Sequence, residues 1–194
     1  VICSDKTGTL TENRMTVEAI CTDFAAPMSA EERYTGTMSE RELLRCMRIC
    51  HTVKGGAGAY VGDPTEVALV EYADRIGFSC DFEQLGGVPF SSERKMMSVF
   101  ARTQEGRRLY VKGGADVLLA KCTRILTDAG ERTITEADRA KVRARVSAYA
   151  GRAMRVLGFA CGDSEREEGL VFVGLAAMLD PPKQGVKELN AVLE

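Results

Sequence analysis

Met97-Ser-Val-Phe-Ala-Arg102 and Arg107-Arg-Leu-Tyr-Val-Lys112, joined by a polar turn that contains Gly106, decide what this chain of 194 residues can be. Two short runs of strand-forming residues around such a turn are the signal of a β-hairpin. An antiparallel pair in mid-chain argues against a purely parallel sheet.

Reading outward toward the C-terminus, Gly113-Gly114 ends the second strand and Ala115 to Cys122 predicts a short helix. Arg124–Thr127 and Arg132–Ile134 flank Asp128-Ala129-Gly130 as a second hairpin. Thr135, with Asp138 three residues on, starts the longest helix, to about Arg152. Its Arg139, Lys141, Arg143 and Arg145 read as a solvated face rather than a nucleic-acid patch. Met154–Cys161 and Leu170–Leu179 are apolar strands separated by the acidic loop Asp163–Glu168. Asp180-Pro181-Pro182 then stiffens the exit, because proline fixes φ and cannot continue a strand.

Toward the N-terminus the pattern is β-like from Pro89 onward. Before it, Asp63 and Pro64 suit the N-cap and first position of a helix. Val67, Val70, Ala73 and Ile76, with Ala68 and Leu69 flanking, supply its buried stripe, and Gly77 the stop. An earlier helix is expected from Ser39, with Glu42 completing a capping box and Leu43, Leu44, Met47 and Cys50 at helical spacing. Lys54–Ala59 reads as a flexible glycine-rich loop, Asp23–Met38 as loop, and Met15–Thr22 as a strand. The middle of the chain is therefore α+β, a mostly antiparallel twisted sheet flanked by helices.

The two ends read as pieces of another fold. Val1-Ile-Cys is the end of a buried strand, and Asp5, Lys6, Thr7, Gly8 and Thr9 follow as a tight polar loop. Reactive groups gather beyond the carboxyl ends of strands in open α/β sheets, and a carboxylate there can act as nucleophile. An acidic turn capping an ordinary strand is the bland alternative. Gly185–Glu194 starts a helix that needs a sheet to cover. The organisation expected is residues 1–14 and 181–194 as stubs of an α/β domain, with 15–180 inserted between them.

Composition narrows the classes. Apolar content of 45% supports a sizeable core, and a net charge of −2 gives no electrostatic reason to expect nucleic acid or direct membrane contact. The ten-residue apolar run Leu170–Leu179 is too short to span a bilayer, no signal peptide opens the chain, and the polypeptide is expected to be soluble. Seven cysteines without a Cys-x-x-Cys pair suit reduced thiols. Cys46 and Cys50, beside His51, could share a helix face as metal ligands, but apolar packing is the preferred reading.

A nucleotide would need a slab for its base and cations for its phosphates. Pro89-Phe90-Ser-Ser-Glu-Arg-Lys95-Met-Met97 puts one aromatic close to two cations, and Lys112-Gly113-Gly114 puts a lysine at a strand end where glycines permit close approach. A core phenylalanine and a solvated lysine are the plain alternatives. There is no Gly-x-x-x-x-Gly-Lys-Ser/Thr loop, so an ATP site here would not be a P-loop.

Taken together these segments resemble the P-type ATPases, in order and spacing, across nearly the whole chain, and most of all the calcium-pump-like subgroup. Asp5-Lys-Thr-Gly-Thr-Leu-Thr11 is similar to the family's phosphorylation motif. The resemblance implies that the chain is the nucleotide-binding (N) domain with stubs of a haloacid-dehalogenase-like phosphorylation (P) domain. It implies nucleotide contacts at Glu66, Phe90, Lys95, Lys112, Gly113 and Arg155, and a hinge at Asp180, Pro181 and Pro182. Asp5, Lys6 and Thr7 would be catalytic, with Mg²⁺ on the Asp5 carboxylate and the Thr7 carbonyl. A dehalogenase-type phosphatase would have a second aspartate at position 7. Thr7 implies instead an aspartyl-phosphate that persists long enough to drive a conformational change.

The partners implied are ATP and the remaining P, actuator and transmembrane domains of one pump, which places this part on the cytoplasmic side of an integral membrane protein. The P-domain motifs Thr-Gly-Asp and Gly-Asp-Gly-x-Asn-Asp would lie beyond Glu194, so the fragment is expected to bind ATP weakly and not to phosphorylate itself. Gly114, Ser92 and Lys183 depart from the family pattern; the phosphate contact absent at Ser92 is either lost or passed to Arg94. A phosphatase with a large cap and a stand-alone nucleotide-sensing module are the alternatives.

Overall fold

A computed structural model of the chain describes residues 14–24 and 34–181. Its elements run β1 (Thr16–Cys21), α1 (Met38–Ile49), α2 (Pro64–Arg75), β2 (Glu83–Ser91), β3 (Met96–Thr103), β4 (Gly106–Gly113), α3 (Ala115–Lys121), β5 (Cys122–Thr127), β6 (Gly130–Thr133), α4 (Glu136–Gly151), β7 (Arg155–Gly162) and β8 (Leu170–Leu179). One sheet takes them in the order β2-β3-β4-β7-β8-β5-β6, with β1 also paired to β8. The α+β architecture expected from the sequence is the one observed. Every named pairing is antiparallel except β5 with β8.

The two-residue period of the strands divides the core into two layers. Met97, Val99, Tyr110, Phe159, Val171 and Val173 face Leu43, Leu44, Met47, Leu69 and Tyr72 of α1 and α2. Their neighbours Met96, Phe100, Val111, Ala160 and Phe172 face Leu118, Val142 and Tyr149 of α3 and α4. The sheet is thus covered on both sides, and β8 at its centre is buried from Leu170 to Met178. Leu175–Leu179 of β8 pairs with β1, and Leu170–Phe172 pairs with β5.

Several elements depart from the sequence expectation for local reasons. The N-cap of α1 is Thr37 with Glu40 as its box partner, not Ser39 with Glu42. Glu40 wins because its carboxylate collects the Thr35, Gly36 and Thr37 amides at 2.7–3.2 Å, while Ser39 is buried with its hydroxyl donating to Asp128 at 2.6 Å and 2.9 Å from the Thr22 hydroxyl. The buried stripe of α2 is Ala68, Leu69, Val70, Tyr72 and Ala73; Val67 and Ile76 are only partly covered. Strand β2 begins at Glu83, well before Pro89. It hid from the pattern because it is an edge strand exposed on both faces and carries no apolar alternation. Arg139 is only partly solvated, since its guanidinium donates to the Leu119 and Cys122 carbonyls at the end of α3.

Candidate functional site

At one end of the sheet the finish of β2, the start of β3, the finish of β4 and the start of β7 meet the first turn of α2. They enclose a cavity of about 520 Å³, lined by Glu66, Phe90, Lys95, Lys112, Gly113 and Arg155 together with Thr52, Asp63, Thr65, Met97 and Leu157, among others. All six nucleotide residues expected from the sequence therefore lie on one wall-and-floor arrangement. Thr52, Met97 and Leu157 were not anticipated. Met97 had a signal, since the register of the β3–β4 hairpin puts it directly opposite Lys112 on one face.

The floor is an ion pair. Lys112, on β4 between Met97 and Phe159, is only 5% exposed, and its Nζ donates to Glu66 Oε1. Glu66, in the first turn of α2, holds its second oxygen on the Thr52 amide and hydroxyl, both at 2.8 Å. Burial pushes the Glu66 carboxyl up, but the Lys112 ammonium and the Thr52 donors outweigh it, and the group titrates below its ordinary value. A buried charge pair needs such full hydrogen bonding to hold. The local sequence arranges it: the Asp63 carboxylate caps the Thr65 amide at 2.9 Å, and Pro64 at the first helical position aims Glu66 back toward the sheet.

The rim is the β2–β3 turn. Phe90 is 57% exposed, the opposite of a core phenylalanine. Lys95 takes a left-handed φ of +54°, which is costly for a non-glycine residue and clusters at functional sites. Its amide donates to Ser91 O at 2.8 Å and its carbonyl accepts from the Gly114 amide at 3.0 Å. Gly113 lets this happen, because a Cβ there would come within 2.5 Å of Lys95 O. The close approach that Gly113 permits here is that of the turn. Arg94 does not face the cavity; its guanidinium reaches Glu167 at 2.5 Å and Pro89 O at 3.1 Å. It is already engaged by Glu167 and Pro89.

Arg155 opens β7 on the exposed side of the cavity. Met97 and Leu157 supply apolar surface to the same cavity. Asp180 accepts the Arg14 amide at 3.2 Å, so the chain enters and leaves the sheet side by side. Asp5, Lys6, Thr7 and Pro182 lie outside the described residues. Cys46 and Cys50 are fully buried, with their thiols against the carbonyls of Ala160 and Met97. Among the described residues no group of three or more His, Cys, Asp or Glu could hold a metal, and no helix is long and apolar enough to cross a membrane.

An exposed aromatic, apolar side chains and the cations Lys95 and Arg155 thus line one cavity, with Lys112 paired to Glu66 at its floor. Over residues 39–185 the sequence matches the family described as P-type ATPase, cytoplasmic domain N, and the chain belongs to that family. Among its relatives, Calcium-transporting ATPase 1 of Lactococcus lactis is 36% identical over 96% of this chain. Calcium-transporting ATPase 1 of Bacillus cereus is 35% identical over 97%, and Calcium-transporting ATPase lmo0841 of Listeria monocytogenes 34% over 96%. The chain spans about a quarter of the length of these relatives, 22–23% of each.

Proposed function

We propose that this chain binds ATP in the cavity between Phe90 and the Glu66–Lys112 pair, as the nucleotide-binding domain of a calcium-pumping P-type ATPase. The observation that carries the reading is the convergence of Phe90, Lys95, Lys112 and Arg155 on one cavity at the end of the sheet. The exposed Phe90 ring offers a stacking face to the adenine, and Met97 and Leu157 an apolar bed beneath it. Glu66, held ionised by Lys112 and Thr52, offers acceptor oxygens toward the exocyclic amine. Lys95 and Arg155 offer charge to the phosphates.

In the whole protein, ATP bound here would be carried to Asp5, whose carboxylate attacks the γ-phosphorus in line and takes the phosphoryl group as ADP leaves. Transfer of that phosphoryl would be coupled to calcium transport across a membrane, with this domain on the cytoplasmic side. Mg²⁺ would be held at Asp5 and Thr7, outside the described residues, where it would offset the charge on the phosphate oxygens. Residues 15–180 form the inserted N domain in this reading, with 1–14 and 181–194 belonging to the P domain. The hydrogen bond from Arg14 to Asp180 supports it, since an inserted domain needs its entry and exit adjacent.

Calorimetric titration with ATP tests the site. Stacking on an aromatic contributes about 1–3 kcal/mol per base, so Phe90→Ala should weaken binding roughly 5- to 150-fold. An unchanged dissociation constant for that variant would remove Phe90 from the site.

A further inference from the structure

The ladder between β2 and β3 breaks where the site needs it most. Val88 pairs with Ser98 and Ser91 with Met96, so Pro89 and Phe90 stand opposite the single residue Met97. This is a β-bulge, a device that re-aims a side chain at the expense of ladder hydrogen bonds. Pro89 has no amide to give, and β2 is an edge strand. The backbone that carries Phe90 is therefore weakly held by the sheet itself.

A carboxylate distant in the sequence takes over that task. Glu167, in the acidic loop between β7 and β8, accepts the Ser98 hydroxyl at 2.6 Å, and Ser98 Oγ in turn accepts the Val88 amide at 3.3 Å. Both Glu167 oxygens also accept from the Arg94 guanidinium at 2.5 Å, and Arg94 donates through its other nitrogen to Pro89 O at 3.1 Å. Two short relays thus run from one carboxylate to Val88 and Pro89, the two residues that precede Phe90. Arg94 is itself tied to the turn by its amide on Ser91 Oγ at 3.2 Å. Burial pushes the Glu167 carboxyl up, but Ser98 and the Arg94 charge bring it below its ordinary value, so the clamp is ionised at neutral pH.

We infer that Glu167 is a positioning residue for the nucleotide: through Ser98 and Arg94 it fixes the bulge that presents the Phe90 ring to the base. The inference rests on the nucleotide-binding reading above for its ligand, and on the bulge geometry for its mechanism. It also gives Arg94 a role that is not phosphate contact.

A double-mutant cycle on the chain, read by ATP titration, tests it. Glu167→Ala should weaken ATP roughly tenfold, a coupling of the size found between groups in one network. The E167A/F90A double variant should bind no more weakly than F90A alone, because the clamp acts only through the ring. Glu167→Gln, which keeps an acceptor for Ser98, should recover part of the loss. If E167A fails to fold, Ser98→Ala interrupts one relay and takes its place in the cycle. ATP binding by E167A equal to that of the unaltered chain, or single losses that multiply in the double variant, would overturn the proposal.

A second readout separates this inference from the reading beneath it. In the unliganded protein, E167A should shift the Phe90 ring resonances and speed amide exchange at Val88 and Phe90. If ATP does not bind, the nucleotide reading falls while this readout still decides whether Glu167 holds the ring. Unchanged Phe90 resonances would contradict the clamp whatever the ligand.

Discussion

Glu66 shows how one carboxylate can serve both the fold and the site. It caps no helix; it holds a buried lysine in the floor of the cavity through Lys112 Nζ, while its other oxygen takes the two Thr52 donors. Its pKa is lowered on folding, so its contribution to stability is complete above the unfolded value, about 4.3, and is lost as pH falls through the lower folded value. Denaturant midpoints measured between pH 7 and pH 3 should therefore fall for the unaltered chain. Glu66→Gln should be destabilised at pH 7, by about 3–5 kcal/mol, because Lys112 is left buried without its counter-charge. Its midpoint should then drop less on acidification. Parallel pH profiles for the two proteins would show that the pair is not coupled to folding. Residue type raised Phe90 and Lys112 as candidates in the sequence, beside plainer readings of each, and only the resemblance to the P-type ATPases pointed to Glu66. Thr52 could not be found that way, because a threonine after a helix has many uses, and only the return of α2 onto β4 brings it to Glu66.

At the scale of elements, the hairpin β3–β4, the apolar strands β7 and β8 and the helices were legible because each combines a clear period with turn or capping residues. Strand β2 was not legible before Pro89. An edge strand exposed on both faces has no reason to alternate, and its Gly86-Gly87 reads as a break. The parallel pairing of β5 with β8 was equally invisible, since it joins segments that no turn connects. The start of α1 was misplaced because Thr37 and Ser39 both offer a box, and only the buried hydrogen bonds of Ser39 decide between them. The β2–β3 turn is the element on which the site depends, and Gly113 sets how closely it lies on β4. Gly113→Ala puts a methyl group within 2.5 Å of Lys95 O and 2.7 Å of the Met96 side chain. Overpacking of this kind typically costs about 1–3 kcal/mol, and the turn must lift. Thermal or chemical denaturation should record that loss together with weaker ATP binding. A fully stable variant with unaltered affinity would mean that the turn does not need this contact.

For the molecule as a whole, the sheet divides the labour. Its centre, β8, is sealed between two helical layers, while one end keeps a half-open cavity rimmed by an exposed ring. Entry and exit lie side by side at Arg14 and Asp180, close to the start of β7 through the pairing of Arg155 with Met178. The central claim is that the cavity between Phe90 and the Glu66–Lys112 pair is the nucleotide site. Its most direct test is an NMR titration of the chain with ATP, read at every assigned amide and at the Phe90 ring. The account predicts progressive, saturable shifts at Glu66, Phe90, Lys95, Lys112, Gly113 and Arg155, with α4 unmoved. Saturable binding that leaves Phe90, Lys95 and Lys112 unshifted would contradict it.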